Sequence, residues 1–173
     1  DGVSGDEPWI SDGTPGGTVL VKEIEAGSFG ADPHSLTVMN GVLYFVASDT
    51  YKAFNRDYEL WKSDGTAAGT LPVKNIFPDA IYPTAPTNLT NVGGALYFTT
   101  ADGVSGNELW TSDGTAAGTV LVKDIRAGAA GAFPRYLVDV NGTLFFTASD
   151  GTSGQVLWTS DGTAAGTVRV ESS

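Results

Sequence analysis

Four copies of one string constrain this 173-residue chain more than any other feature. Trp9, Trp61, Trp110 and Trp158 are each followed, one residue later, by Ser-Asp-Gly-Thr: Ser11-Asp12-Gly13-Thr14, Ser63-Asp64-Gly65-Thr66, Ser112-Asp113-Gly114-Thr115 and Ser160-Asp161-Gly162-Thr163. The tryptophans lie 52, 49 and 48 residues apart. A fixed period of this length marks one supersecondary unit, repeated, that buries its apolar surface by stacking on its siblings.

Each full period reads as four short strands. In the second, the pattern predicts strand a over Ser35–Met39, b over Val42–Ser48, c over Tyr58–Ser63 and d over Gly69–Ile76. Asn40-Gly41 joins a to b, and Gly93-Gly94 and Asn141-Gly142 stand in the same place later; such pairs favour tight hairpin turns with both central residues at positive φ. No stretch carries a useful helical period, so the chain is expected to be all-β. Strand b is apolar on both faces: Leu43, Phe45 and Ala47 point one way, Tyr44 and Val46 the other. A sheet wetted on one side would alternate apolar and polar residues. Four-stranded antiparallel units stacked face to face are the blades of a β-propeller, and the period fits. The expected organisation is one continuous segment: a half blade over 1–24 (strands c and d), then blades over 25–76, 77–125 and 126–173.

Length variation is confined to two connections. From Trp to the lysine of strand d is 13 residues in three repeats (Trp9–Lys22, Trp61–Lys74, Trp110–Lys123). The b–c connection takes 12 residues in the second repeat and 8 in the others, and the d–a connection 14, 15 and 14. Both lie at one end of a four-stranded meander, and variable loops are where recognition concentrates. The candidate ligand-binding residues are therefore Tyr51, Lys52, Phe54, Asn55, Arg56 and Asp57 in the inserted b–c segment, with Asp79 and Tyr82 in the d–a loop; the competing reading is that they fill gaps between blades or molecules. Trp9, Trp61, Trp110 and Trp158 are assigned to the core. Asp12, Asp64, Asp113 and Asp161 are assigned to turn stabilisation, the carboxylate accepting backbone N–H bonds and the glycine supplying positive φ. Cross-strand ion pairs are expected between Glu7 and Lys22, Glu59 and Lys74, and Glu108 and Lys123. In the last repeat both partners change together, to Val156 and Glu171, which suggests a different neighbour for that blade or none.

Charge and composition narrow the function. Nine Lys and Arg against twenty Asp and Glu leave a net charge of −11, which repels nucleic-acid backbones and anionic membranes. The absence of cysteine removes disulfides and thiolate sites. No apolar run is long enough for a transmembrane helix. Residue 1 is Asp and the sole methionine is Met39, so the chain is expected to be processed or cut from something longer. His34, the single histidine, has no nucleophile motif beside it. No acidic pair stands out for glycoside hydrolysis. No catalytic residue, cofactor or metal is expected. Calcium is weighed at the Asp-Gly-Thr turns, where an Asp-x-Asp-x-Asp-Gly spacing is missing, and more so at Asp1-Gly2, Asp102-Gly103 and Asp150-Gly151, where Ser4, Ser105, Ser153, Glu7 and Glu108 sit nearby.

Glu59-Leu60-Trp61-Lys62-Ser63-Asp64-Gly65-Thr66 and Glu108-Leu109-Trp110-Thr111-Ser112-Asp113-Gly114-Thr115 resemble the ELWxxDGT repeat of large bacterial secreted and cell-surface proteins. Glu7-Pro8-Trp9 departs at the leucine and Val156-Leu157-Trp158 at the glutamate. The resemblance covers essentially the whole chain. It implies an extracellular, propeller-like module and no known catalytic residues. Three and a half blades leave open edges and an uncovered apolar face. The expectation is a non-catalytic module for surface display, adhesion or assembly, completed by further protein in cis or in trans. Two alternatives are a lectin-like propeller binding carbohydrate through the variable rim, and a fragment of a propeller glycoside hydrolase. Protein subunits or self-association are the expected partners, with carbohydrate as the alternative, no nucleic acid and no membrane insertion.

Overall fold

A computed structural model describes residues 3–52, 55–77 and 84–171, with the backbone alone at 51, 52 and 55. Fourteen strands and no helix are found among the described residues. The first two, β1 (Trp9–Ile10) and β2 (Val19–Leu20), pair with each other. Strands β3 (His34–Met39), β4 (Val42–Lys52), β5 (Asn55–Ser63) and β6 (Leu71–Lys74) form the first four-stranded meander. The second comprises β7 (Thr87–Val92), β8 (Ala95–Ala101), β9 (Asn107–Ser112) and β10 (Val120–Lys123). The third comprises β11 (Arg135–Val140), β12 (Thr143–Ala148), β13 (Val156–Ser160) and β14 (Val168–Arg169). All these pairings are antiparallel, as the period predicts. The chain divides into two compact units, Asp1–Ala85 and Pro86–Ser173.

The a–b turns behave as their sequences require. Asn40 and Gly41, Gly93 and Gly94, and Asn141 and Gly142 all have positive φ. Such a turn matches the right-handed twist of the strands that it joins. The first strand of each meander carries a feature that the pattern did not announce. Ser35, Asn88 and Tyr136 adopt positive φ, and the register slips beside each one, between His34 and Thr37, Thr87 and Thr90, and Arg135 and Val138. These are β-bulges, which bend a strand and increase its twist.

Strand b is covered on both faces. Phe45 lies opposite Trp61, and Val46 opposite Leu60 on the other side of the sheet. Tyr44, Phe45, Val46 and Ala47 are consecutive and all buried. The aromatic pair recurs as Phe98 opposite Trp110 and Phe146 opposite Trp158. In the second unit the cover is visible directly. Tyr97, Leu109 and Val122 of one meander share a core with Leu144, Phe146 and Trp158 of the next. In the first unit Phe45 and Trp61 pack with Ala31 and Ile24, which belong to the connection leaving β2.

Two expectations need correction. The inserted segment is not a loop throughout: β4 and β5 extend into it, with Tyr51 opposite Arg56 and Lys52 opposite Asn55. Extra residues that can keep pairing lengthen the hairpin, because each continued pair satisfies backbone groups that a loop would leave to water. Trp9 is the second exception. It is 45% exposed, against 3%, 7% and 7% for Trp61, Trp110 and Trp158. Among the described residues, no counterpart of β4 pairs with β1, and no phenylalanine lies opposite this indole.

Trp61→Ala is expected to cost about 3–5 kcal/mol, the usual range for emptying a large aromatic site. Trp9→Ala should cost less than about 1.5 kcal/mol, because much of its surface is already in water. Urea unfolding of the two variants checks this, and equal losses would contradict the difference in burial.

Candidate functional site

The four Ser-Asp-Gly-Thr turns repeat one hydrogen-bond pattern. In the turn at 63–66, Asp64 Oδ1 accepts the Thr66 amide at 2.9 Å and the Thr66 hydroxyl at 2.7 Å. Gly65 has φ +89°, which L side chains rarely adopt. A Cβ on Gly69 would fall on the Asp64 carboxylate, so this position is closed to any side chain. The Thr66 hydroxyl and amide hold the Asp64 carboxyl below its ordinary range, and the Thr163 hydroxyl and amide do the same for Asp161. Asp12 and Asp113 accept the same two bonds. The four aspartates therefore act within their own turns. The other Asp-Gly cluster behaves similarly: Asp102 accepts the Val104 and Ser105 amides, and Asp150 the Thr152 amide and hydroxyl. Among the described residues, no group of three or more His, Asp or Glu is arranged to hold a metal ion.

The expected ion pairs between strands c and d are not made by Glu7 and Lys22 or by Glu108 and Lys123. A bulge between Leu121 and Lys123 places the lysine opposite Leu109 instead of Glu108. One step of register moves a side chain to the other face. Glu108 instead gathers three amides of the d–a connection, those of Ile125, Arg126 and Ala132, at 3.1, 3.2 and 2.8 Å. Glu7 holds the Ile24 and Glu25 amides in the same way, both at 2.9 Å. Each lysine turns towards the next sheet. Lys123 donates to the carbonyl oxygen of Thr167 at 2.8 Å, with its Nζ 5.9 Å from the Trp158 ring centroid. Lys22 donates to Thr70 O at 2.7 Å, with its Nζ 5.9 Å from the Trp61 ring centroid. A cation over an indole face is attracted by the ring quadrupole. The constant spacing from Trp to Lys was the sequence signal for this contact; its direction was not legible.

At the loop end, Gly5 meets Gly30 and Gly106 meets Gly131 so closely that no Cβ fits at either approach. Asp6 forms a backbone bridge with Gly30. Of the candidate ligand-binding residues, Arg56 and Asp57 are fully described. Arg56 donates to the carbonyl oxygens of Gly30 and Phe29 at 2.7 and 2.9 Å and faces Glu25 at 4.0 Å. Gln155 makes the corresponding clasp in the second unit, donating to Ala132 O and Phe133 O. Asp57 accepts the Asn75 amide nitrogen at 2.9 Å. Tyr51, Lys52 and Asn55 are placed by their backbones at the end of the β4–β5 hairpin. Phe54, Asp79 and Tyr82 lie outside the described residues. Beside Arg56, the Tyr58 hydroxyl donates to Asp32 Oδ2 at 2.7 Å, and His34 packs edge-on against the Tyr58 ring. His34 Nδ1 shares a hydrogen bond with Asp32 O.

Glu59 differs from its counterparts. It accepts the Asn75 side chain at 2.8 Å and lies near Asp49 and Asp57. Burial, and then those two negative charges, raise its carboxyl to about 7. Burial also lifts Glu108 to about 7, against the three amides, which favour the anion. No protein-family model matches the chain, and no curated protein sequence is significantly similar to it.

Both carboxyls bind a proton more tightly folded than unfolded. Their contribution to stability is complete below the ordinary value of 4.5 and is lost as the pH rises through about 7. Glu59→Gln keeps an acceptor for Asn75 and removes the charge, so the thermal midpoint at pH 8 should rise by about 2–4 °C. Glu108→Gln turns an amide nitrogen towards backbone donors and should cost about 1–3 kcal/mol. Thermal unfolding from pH 4.5 to 8 separates the two, and an unchanged pH slope in Glu59→Gln would contradict the assignment.

Proposed function

We propose that this chain is a non-catalytic extracellular repeat module for surface display, adhesion or assembly, completed by further protein in cis or in trans. The observation that carries the proposal is the open edge of β1. A cleft of ≈ 270 Å³ lies beside it, lined by Pro8, Trp9 and Ile10 on one side and by Val38 and Leu43 of the β3–β6 sheet on another. A second cleft adds Leu36 and Phe45 to the apolar lining. In the β3–β6, β7–β10 and β11–β14 sheets, the corresponding edge is occupied by β4, β8 or β12. An unpaired strand edge next to apolar surface is a template for strand addition. The chemistry that fits is an a–b hairpin of the same repeat, whose phenylalanine would lie opposite Trp9.

Closure of the sheets into a propeller belongs to the same proposal, supported by the two-sided burial of strand b. Extracellular placement is supported by the resemblance of the Glu-Leu-Trp-x-x-Asp-Gly-Thr strings to a repeat of secreted and surface proteins. The net charge of −11 is suited to a module that stays soluble and avoids polyanions. Arg56 and Asp57 are already engaged by the protein's own groups, so neither adds weight to carbohydrate binding at the rim.

Grafting a second copy of residues 135–149 directly before Asp1 recreates the spacing of the last repeat, because Asp1-Gly2 matches Asp150-Gly151. The grafted chain should shield Trp9 from acrylamide quenching and raise the thermal midpoint by about 4 °C or more. Quenching and a midpoint equal to those of the parent chain would overturn the proposal.

A further inference from the structure

The joints between sheets have a polarity, and the two ends of the chain differ in it. At each joint described above, a lysine at or just beyond the end of the last strand of one sheet donates to a threonine carbonyl in the turn of the next and lies over its tryptophan. The receiving surface is already assembled on the β1–β2 sheet. Ser11 and Thr18 share a hydrogen bond at 2.6 Å, as Ser63 and Thr70 do at 2.7 Å and Ser160 and Thr167 at 2.7 Å. The two later pairs and their tryptophans are buried, whereas Trp9, Ser11 and Thr18 are all exposed. The same turn, with the same internal bonds, is thus bare at the first sheet.

The β11–β14 sheet presents the apolar half of a joint. Leu157 occupies the place of Leu109 but is 44% exposed where Leu109 is 0%. The polar half is inverted, because Glu171 stands where Lys22 and Lys123 stand in their repeats. A carboxylate there would face a carbonyl oxygen and the negative face of an indole, two groups that an anion avoids.

We infer that the Trp9–Thr18 face is a docking surface for a sheet of this same repeat carrying a lysine at the end of its fourth strand, and that Glu171 bars the last sheet of a second copy from that place. Stacking is therefore directional and does not run on from copy to copy. The inference rests on the proposed role as an association module, and it names the partner chemistry of one face.

Sedimentation velocity over a range of concentrations tests it with the full chain. Glu171→Lys should associate head to tail about tenfold more tightly than Glu171→Gln, the factor expected for a desolvated cation–π contact with a charge-assisted hydrogen bond. Adding Trp9→Ala to Glu171→Lys should abolish the gain. If Glu171→Lys associates no more tightly than Glu171→Gln, the lysine selectivity is wrong. If the parent chain self-associates and Trp9→Ala abolishes that, the exclusion by Glu171 is wrong. Neither result touches completion of the β1 edge, which the grafted hairpin reads separately.

Discussion

A strand that is apolar on both faces cannot belong to a sheet with one side in water. Tyr44, Phe45, Val46 and Ala47 run consecutively through β4 and are all buried, and Leu96, Tyr97 and Phe98 do the same in β8. Each sheet then needs cover on two sides, and within the second unit a sibling sheet supplies it. The core of the second unit is such a joint, with Tyr97 and Leu109 of one sheet against Phe146 and Trp158 of the next. Apolar burial drives the stacking, since it scales with the area removed from water. It does not say which sheet follows which.

Polar groups set the order. The strand-d lysine reaches forward to a threonine carbonyl, while the strand-c glutamate holds the amides of the connection that leads to the next sheet. The two charges that the sequence places one pair apart do different work on different faces. Burying the glutamate has a cost, visible in a carboxyl pushed up to about 7 at Glu108. Three backbone amides offset that cost by giving the anion hydrogen bonds in place of water. In the last repeat Val156 and Glu171 stand at the places of that glutamate and lysine.

The rim at the loop end is built by the same economy of parts. Close glycine pairs bring the b–c and d–a connections together, and a long polar side chain clasps them: Arg56 in the first unit, Gln155 in the second. Arg56 stood among the candidate ligand-binding residues because it lies in the one inserted segment. Its guanidinium instead donates to two backbone carbonyls of the neighbouring connection, those of Gly30 and Phe29. An insertion can stabilise a neighbouring loop as readily as it can create a site, and the position of the insertion alone does not separate the two.

Much of the architecture was legible in the residues. The period, the Asn-Gly and Gly-Gly turns and the two-sided strand b determine an all-β chain of antiparallel meanders, because each is a local constraint on φ, ψ and burial. The Asp-Gly-Thr turn was legible for the same reason: the bonds of the Asp64 carboxylate and the Thr66 hydroxyl reach partners two and three residues away. What escaped depends on groups distant in sequence. The bulge beside Lys123 turns that side chain away from Glu108, and the acceptor that it finds lies 44 residues on. The exposure of Trp9 is likewise a property of what lies beside β1, since the Ser-Asp-Gly-Thr string that follows it is the same as those after its buried counterparts. Short-range chemistry decided the shape of each sheet; only the tertiary structure decided which face each charge serves, because one step of register exchanges the two faces.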